Sequence, residues 1–194
     1  MEITQLPGFQ DDVHDAQITF RTLLNALSYP GTSQEICIQL TPPPGLTLAC
    51  AAACLSLLDL DTTIWLSSEF EPDVKAWLKF HTGCHFTTHP QAANFAIIQN
   101  LSDRLSLGNF NWGTAEKPEL STTLLIQIES LATCEPIRLN GPGISEEQVI
   151  KLPLDSSFRE EWKKNHQSYP LGIDVFLFGE NTIIGLPRTT NLSL

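Results

Sequence analysis

The sequence predicts an α/β domain in which a mixed sheet is covered by helices. In the first half of the chain, segments with helical spacing of apolar residues alternate with short strand-like runs, and strands dominate the second half. The length of 194 residues suits one domain with a sizeable core. Because neither an internal repeat nor a change of composition divides the chain, we treat 1–194 as a single domain.

The first helix is predicted to begin near Asp11 or Asp12 and to end at Tyr29-Pro30-Gly31. Either aspartate can cap the helix, and a residue that precedes proline avoids helical backbone angles. Six apolar residues recur at three- and four-residue spacing, which predicts one buried stripe. These residues are Val13, Ala16, Phe20, Leu23, Leu24 and Leu27.

The second helix is predicted within 46–58, after a strand at 34–40 and a stiff proline-rich connector. It is apolar on almost every face, which is typical of a helix buried on several sides. Cys50 and Cys54 lie one turn apart on it, so they either share a metal ion or pack in the core. The lack of a histidine or acid beside them favours packing.

A polar turn, Asp59-Leu60-Asp61-Thr62, leads into a strand at 63–66. Its two acids either orient a metal-bound phosphate or serve as local caps and turn formers, and the second role is the more common one.

A third helix is predicted from Pro72, and its apolar stripe ends at His81, just before Gly83. His81 is therefore either a proton carrier that faces a cleft or a half-buried residue stabilised by the end of the helix.

The second half contains predicted strands at 94–98, 122–128, 173–178 and 182–186, the last two forming a closing hairpin. A helix is marked by Leu154, Phe158 and Trp162. The polar segment 101–119 is predicted to be a mobile excursion, since loops of this length are uncommon without a function or a partner.

The turn Leu139-Asn140-Gly141-Pro142-Gly143-Ile144 follows a short strand and carries no bulky side chain at its tip. Proline fixes its own φ, and the glycines permit angles that other residues avoid. Such a turn either allows a ligand or another backbone to approach closely or only reverses the chain.

Charge and composition exclude several function classes. Acidic residues outnumber basic ones by 22 to 11, for a net charge of −11, and no cluster of lysine and arginine is present. Binding to bare nucleic acid or to an anionic membrane face is therefore not expected. The start of the sequence lacks the pattern of a signal peptide, and its five cysteines lack paired spacing. These features predict a cytoplasmic protein.

Common active-site motifs are missing from the sequence. It contains no phosphate-binding Gly-x-x-x-x-Gly-Lys-Ser/Thr loop, no dinucleotide Gly-x-Gly-x-x-Gly turn, no Gly-x-Ser-x-Gly elbow and no Cys-x-x-Cys pair. We therefore predict neither a cofactor nor a metal site, and no self-sufficient active site of a common type.

An ordered series of turns between about residues 6 and 190 resembles the PhnH family, which belongs to the bacterial carbon–phosphorus lyase system for phosphonate use. The order and spacing of these turns carry the resemblance. The series comprises 20–24 with 29–31, 57–62, 80–84, 94–96, 113–119, 139–144, Tyr169-Pro170-Leu171-Gly172-Ile173-Asp174 and Leu186-Pro187-Arg188-Thr189-Thr190.

The resemblance implies a three-layer α/β sandwich similar to pyridoxal-phosphate-dependent transferases, without use of that cofactor. It also implies a homodimer that assembles with sister subunits of the carbon–phosphorus lyase system. Together these subunits act as a transferase that attaches an alkylphosphonate to the ribose C1 of ATP and releases adenine. A different subunit later cleaves the carbon–phosphorus bond.

The resemblance does not settle the catalytic residues, so candidates are ranked by chemistry. Arg188 is first, because its guanidinium can fork onto a phosphate or phosphonate oxygen. His81 and Thr82 follow as a proton carrier and a hydroxyl donor, and Asp174 as a ligand of a ribose hydroxyl. The alternatives are an interface salt bridge for Arg188, a cap for Thr82 and a turn role for Asp174.

Three functions remain distinct at this point. The first is a subunit with little or no activity alone, which acts on ATP and alkylphosphonate only through the complex. The second is a non-catalytic scaffold that only assembles the complex. The third, suggested by fold alone, is a free-standing pyridoxal enzyme.

The predicted homodimer has a candidate surface in the closing hairpin, because exposed sheet edges are normally covered or paired. Trp65, Phe110 and Trp112 are predicted either at partner surfaces or, for Trp65 above all, in the core.

Overall fold

A computed structural model of the chain describes residues 6–68, 70–128 and 135–193. Within these ranges it contains four α-helices: α1 (His14–Ser28), α2 (Leu48–Leu57), α3 (Pro72–Thr82) and α4 (Ser156–Gln167). None of these helices is long and apolar enough to cross a membrane.

The described residues also form ten strands. The first five are β1 (Gln34–Glu35), β2 (Thr63–Leu66), β3 (His85–Phe86), β4 (Phe95–Ile98) and β5 (Thr123–Gln127). The other five are β6 (Pro136–Asn140), β7 (Gln148–Lys151), β8 (Asp174–Phe178), β9 (Thr182–Leu186) and β10 (Asn191–Ser193).

A seven-stranded mixed sheet forms the centre of the fold, with the strand order β1-β9-β8-β5-β4-β2-β3. The strands from β8 to β3 are parallel, and β9 and β1 add antiparallel pairs at one side. The chain leaves β2 toward β3 on one side and returns to β4 on the other, so the winding direction reverses between β2 and β4. The predicted α/β class and mixed sheet are confirmed.

The two faces of this sheet are covered differently. Alternate strand residues such as Ile64, Ile97 and Leu125 pack with α1, α2 and α3 on one face. Their neighbours, such as Leu124 and Ile126, pack on the other face with α4 and a three-stranded antiparallel sheet of order β10-β6-β7. The sheet is thus the middle of three layers.

The second helix is buried, as its composition predicts. Its cysteines and alanines are fully enclosed, and the Thr47 hydroxyl caps the helix by accepting a hydrogen bond from the backbone N–H of Cys50 at 3.3 Å. A hydrogen bond with Cys50, together with burial, raises the pKa of the Cys54 thiol. Both thiols therefore pack as small apolar groups.

The predicted buried stripe of the first helix is wrong for three residues. Val13, Phe20 and Leu24 are 75%, 53% and 54% exposed. The helix instead turns a neighbouring face toward β9, where the backbone of Ala26 lies close to Gly185. Its buried residues are Thr19, Leu23 and Ala26. An apolar strip, defined here as the α1 stripe (Val13, Phe20 and Leu24), is left exposed.

Two further expectations need correction. The strand predicted over 34–40 is only Gln34–Glu35, and it covers part of the outer edge of the β8–β9 hairpin. That hairpin is therefore not the open sheet edge that was expected. The 101–119 segment is held by short 3₁₀ turns, and its Leu107 and Phe110 are buried, with Phe110 meeting the ring of Trp65 at 5.6 Å.

The Gly-Pro-Gly turn brings three pieces of backbone together. Gly141 has a φ of 138°, and a Cβ there would lie 2.8 Å from the carbonyl oxygen of Thr189. Gly143 has a φ of 84°, and a Cβ there would clash with the carbonyl oxygen of Ser28. Of the two alternatives left open by the sequence, the structure shows the close approach of another backbone.

Candidate functional site

Arg188 lies directly after β9 and Pro187, beside the first residue of β8. Its side chain lines an open cleft of about 450 Å³ at the amino ends of β5 and β8. Thr123 and Asp174, which begin those two strands, lie on the cleft wall together with Ser121 and Tyr169. The structure therefore brings together two of the predicted site residues, Arg188 and Asp174.

All five N–H groups of the Arg188 guanidinium are hydrogen-bonded. Nε and Nη2 donate to the two oxygens of Asp174, at 3.2 and 2.6 Å, in a bidentate pair. Nη2 also donates to the Ser121 hydroxyl at 2.6 Å, and Nη1 donates to the carbonyl oxygens of Pro118 and Pro170 at 3.1 Å each. We call these five residues the Arg188 cluster.

The Arg188 cluster joins three separate parts of the backbone, at 118–121, 170–174 and 188. Its two charged side chains are only 12% and 24% exposed, and Asp174 also accepts a hydrogen bond from the backbone N–H of Arg188 at 2.8 Å. Because a guanidinium has five donors and no acceptor, an incoming phosphonate oxygen would have to displace Ser121 or a carbonyl. In the observed structure, the hydrogen bonds of Arg188 hold the walls of the cleft in place.

Helix α4 also contacts the segment that follows β9, which contains Arg188. The indole N–H of Trp162 donates to the carbonyl oxygen of Thr190 at 2.8 Å, and His166 Nδ1 lies 3.2 Å from the carbonyl oxygen of Arg188. Asn165, fully buried, exchanges two hydrogen bonds with the backbone of Ile173 just before β8. The end of β9 and the start of β8 are therefore held in register.

His81 and Thr82 lie on a different element, at the end of α3. His81 Nε2 is 2.9 Å from the carbonyl oxygen of Leu6, which also accepts a hydrogen bond from the indole of Trp77. Thr82 donates to the carbonyl oxygen of Leu78 at 2.8 Å. His81 thus contacts the backbone near the start of the described chain and Thr82 the backbone of its own helix, and no described hydrogen bond links them to the Arg188 cluster.

Asp59, the first acid of the turn after α2, is also used locally. The Asp59 carboxylate accepts a hydrogen bond from the backbone N–H of Asp61 at 3.0 Å. The Thr62 hydroxyl accepts a hydrogen bond from the backbone N–H of Asp59 and donates one to the carbonyl oxygen of Asp59. This geometry matches the turn-forming role. Across the described ranges, no group of three histidine, cysteine or acidic side chains is arranged to hold a metal ion.

Comparison with known proteins adds the decisive observation. The family model described as bacterial phosphonate metabolism protein (PhnH) matches residues 7–193. The chain belongs to the PhnH family. The resemblance read from the series of turns is thereby confirmed.

Two curated relatives extend over almost the whole PhnH-family chain. The alpha-D-ribose 1-methylphosphonate 5-triphosphate synthase subunit PhnH of Rhizobium meliloti (strain 1021) is 34% identical over 187 residues, covering 95% of this chain and 94% of the relative. The putative C-P lyase subunit protein HtxG of Stutzerimonas stutzeri is 29% identical over 188 residues, covering 92% and 86%.

Sequence reasoning missed a second ion cluster of this PhnH-family chain. Arg104, whose side chain is almost fully buried, donates to both oxygens of Glu161 on α4 at 3.3 and 3.2 Å. Glu161 also accepts a hydrogen bond from the backbone N–H of Leu107 at 2.6 Å. The two partners are 57 positions apart, and neither lies in a recognisable motif, so no local pattern announced the pair.

The opposite edge of the sheet, at the carboxyl ends of the parallel strands, contains two cavities. One, of about 390 Å³, lies between Thr47, Gln99 and Gln127. Gln127 there accepts a hydrogen bond from the backbone N–H of Thr47 at 2.6 Å and donates to the carbonyl oxygen of Gly45 at 2.8 Å. The second, of about 360 Å³, lies beyond β2 and β3 and is lined by Lys75 and Asp103 among others.

Proposed function

We propose that the chain is a subunit of the carbon–phosphorus lyase system and acts with sister subunits as a transferase in organic phosphonate catabolism. The assembled enzyme attaches an alkylphosphonate to the ribose C1 of ATP and releases adenine, which gives α-D-ribose 1-methylphosphonate 5-triphosphate when the substrate is methylphosphonate. One observation carries this proposal: the PhnH family model matches residues 7–193. The Rhizobium relative named as a subunit of that synthase supports it.

The geometry of the candidate residues supports a subunit that needs partners. Arg188 and Asp174 are engaged with each other, and His81 and Thr82 fasten the end of α3. We propose that Arg188 and Asp174 act as positioning residues, which hold the cleft at the amino ends of β5 and β8 in shape. The reacting groups of the assembled enzyme are then completed by sister chains.

The α1 stripe supports assembly from another direction. Val13, Phe20 and Leu24 lie on one side of α1 and are more than half exposed, whereas large apolar side chains on a helix are normally covered. We propose that a second copy of the chain covers this stripe in a cytoplasmic homodimer. Because each chain carries a net charge of −11, the two copies repel at low ionic strength.

Reconstitution tests the proposed activity. Purified chain and sister subunits are mixed with ATP and methylphosphonate, and released adenine is measured by chromatography. Adenine is expected only when this chain and its partners are all present. Release by the chain alone, or undiminished release when it is omitted, contradicts the proposal.

Light scattering tests the dimer and its surface. The wild-type chain is expected to be a dimer at micromolar concentration, and the dimer is expected to tighten as salt screens its charge. The double variant Phe20→Glu with Leu24→Glu is expected to be a folded monomer, while the control Val149→Glu, at an exposed apolar site on β7, stays dimeric. A monomeric wild type, or a dimeric double variant, counts against this surface.

The scaffold alternative is favoured by the saturated hydrogen bonding of Arg188. Arg188→Ala in an assembled complex separates the two functions. Unchanged adenine release supports a pure scaffold, and a loss of activity with the complex intact supports a role at the site.

We also propose that the three-layer fold is related to that of pyridoxal-phosphate-dependent transferases and that the chain does not use their cofactor. Pyridoxal phosphate added to the purified chain is expected to give no aldimine absorbance band. A stable aldimine band that survives dialysis would support the hypothesis of a free-standing pyridoxal enzyme.

A further inference from the structure

A cavity of about 360 Å³ lies beyond the carboxyl ends of β2 and β3, next to the point between β2 and β4 where the winding of the parallel sheet reverses, and the segment after β4 supplies Asp103 to its wall. The strands β2, β3 and β4 end at Leu66, Phe86 and Ile98, and their carboxyl ends face the same edge. In open parallel sheets, ligands bind in the crevice outside the carboxyl ends at such a reversal point. We call this space the Asp103 cavity.

The walls of the Asp103 cavity combine apolar rings with a few polar groups. Trp65 from β2 and Phe86 from β3 supply aromatic surface, and Thr87 and Thr88 supply hydroxyl groups from the segment after β3. Its volume lies at the lower end of the usual range for small-molecule sites, and this mixture of surfaces is typical of them.

Asp103 carries an acceptor that the described residues do not satisfy. One oxygen accepts a hydrogen bond from the Ser102 hydroxyl at 3.1 Å, while the other, Oδ2, is buried and has no hydrogen-bond partner among the described residues. Arg104 does not neutralise it, because that guanidinium is held by Glu161. The terminal torsion of an aspartate is soft, so a small rotation presents the free acceptor to the cavity.

Lys75 supplies a positive charge to the lining of the same cavity. Its ammonium lies 5.0 Å from the centre of the Phe86 ring, and it forms no ion pair with the carboxylates of the described residues. Lys75 is exposed, so in a chain with a net charge of −11 it gives the open side of this cavity a positive group that an anion can approach.

We propose that the Asp103 cavity binds a ribosyl phosphate, in which a ribose hydroxyl donates to Asp103 and the phosphate lies beside Lys75. Trp65 and Phe86 then cover the sugar or a base attached to it. An acidic side chain at the edge of a parallel sheet is a known acceptor for ribose hydroxyls. The choice of ribose among hydroxyl-bearing anions rests on the proposed function.

Calorimetric titration of the purified full-length chain with ribose 5-phosphate, AMP and inorganic phosphate tests this site. Ribose 5-phosphate and AMP are expected to bind, and Asp103→Asn is expected to weaken both by about tenfold or more, since a hydrogen bond to a charged acceptor is lost. Lys75→Gln is expected to weaken them about fivefold, with a larger loss at low salt. The matched controls Asp61→Asn and Lys163→Gln, both exposed, stay within about twofold of wild type.

Each outcome of the titration either supports the ribosyl phosphate site or contradicts it. Tighter binding of AMP than of ribose 5-phosphate identifies a nucleotide as the source of the ribosyl phosphate, and equal binding identifies a sugar phosphate. The proposal is overturned if neither binds at millimolar concentration, if inorganic phosphate binds as well as both, or if Asp103→Asn and Lys75→Gln bind normally. Melting curves of the two variants show whether a loss of binding reflects the site or the fold.

Failure of the cavity assignment can be distinguished from failure of the proposed function. A chain that fails to join sister subunits but binds ribosyl phosphate through Asp103 contradicts the subunit function and retains the cavity assignment. An active complex whose isolated subunit shows no such binding contradicts the cavity assignment alone.

Discussion

Two sets of buried polar groups, one at each end of the parallel strands, differ in how fully they are hydrogen-bonded. At the amino ends, the Arg188 cluster leaves no guanidinium donor unused, and its charges are paired. At the carboxyl ends, Asp103 Oδ2 and Gln99 Oε1 are buried without a hydrogen-bond partner among the described residues. Asp103 and Gln99, the residues that carry these acceptors, each line one of the two cavities described at that edge. Thr190 Oγ1, two residues after Arg188, is a third such atom, but Thr190 does not line the cleft beside the cluster or either of these cavities.

This difference distinguishes polar groups that stabilise the fold from polar groups that are available to a ligand. Buried polar groups in proteins are normally satisfied, and each exception costs free energy of folding. A satisfied cluster therefore indicates a part of the fold that holds its shape, whereas unsatisfied acceptors beside a cavity indicate a place where a ligand completes the hydrogen bonding. The comparison predicts that changes at the two ends alter stability with opposite sign.

The largest effect is expected from Arg188→Ala. Removing the guanidinium leaves the Asp174 carboxylate with the backbone N–H of residue 188 but without its charged partner, and removes one donor from each of two carbonyls. The unfolding free energy is therefore expected to fall by about 3 kcal/mol. Urea unfolding followed by tryptophan fluorescence measures the change. Arg138→Ala is the control, because its ion pair with Glu147 is exposed and is expected to contribute less than about 1 kcal/mol. Similar losses of unfolding free energy in both variants would show that the Arg188 cluster contributes no more to stability than an exposed ion pair.

A nearly equal effect is expected from Gly141→Ala. The new methyl group meets the carbonyl oxygen of Thr189 at 2.8 Å, and the φ of 138° is unfavourable for alanine. Because Thr189 follows Arg188, the strain reaches the cluster, and a loss of about 2 to 3 kcal/mol is expected.

The control for this change is Gly108→Ala, where the nearest atom, the Ser106 hydroxyl oxygen, is 3.8 Å away. That variant is expected to unfold within about 0.5 kcal/mol of wild type. If the two glycine variants unfold alike, the close backbone packing at the Gly-Pro-Gly turn is not a constraint on the fold.

A smaller loss, about 2 kcal/mol, is expected from Glu161→Gln, because the charge that holds Arg104 and the N–H of Leu107 is weakened in a largely buried site. Since Arg104 follows Asp103, this variant is also expected to weaken ribosyl phosphate binding. Glu160→Gln, at the exposed neighbouring position, is the control and is expected to change neither quantity. Normal stability and binding in Glu161→Gln would remove the link between this ion pair and the Asp103 cavity.

Local patterns were sufficient to predict much of the fold. The apolar residues of α2 predicted its burial, and the Gly-Pro-Gly turn indicated close approach as one of two alternatives, because both patterns depend on residues adjacent in the chain. The burial of Phe20 and Leu24 was predicted wrongly, because spacing identifies an apolar side of a helix but not which part of that side meets the sheet. That choice is made by β9, whose Gly185 is 159 positions beyond Ala26 (185 − 26).

The site was harder to predict for the same physical reason. Arg188 and Asp174 were chosen singly for their chemistry, and nothing in the sequence indicated that they would satisfy each other or that Ser121 would join them. The partners of Arg104 and the missing partner of Asp103 depend on which loops meet, and that is decided by sheet order. Hydrogen-bond satisfaction is a property of the folded chain and cannot be read from a motif.

The smallest change in stability, and the one with opposite sign, is expected from Asp103→Asn without ligand. Asparagine has nearly the same shape but no charge, so burying it without a partner costs less than burying a carboxylate. The free energy of unfolding is therefore expected to stay level or to rise by up to about 1 kcal/mol, while ribosyl phosphate binding falls.

Addition of ribose 5-phosphate sharpens this last prediction. In wild type the ligand is expected to raise the melting temperature, because it binds only the folded state, and in Asp103→Asn the rise is expected to shrink or vanish. A carboxylate that lowers the stability of the free protein and raises that of the liganded protein is retained for binding. If Asp103→Asn instead unfolds as easily as Arg188→Ala, then Asp103 supports the fold just as Asp174 does, and the contrast between the two ends of the sheet fails.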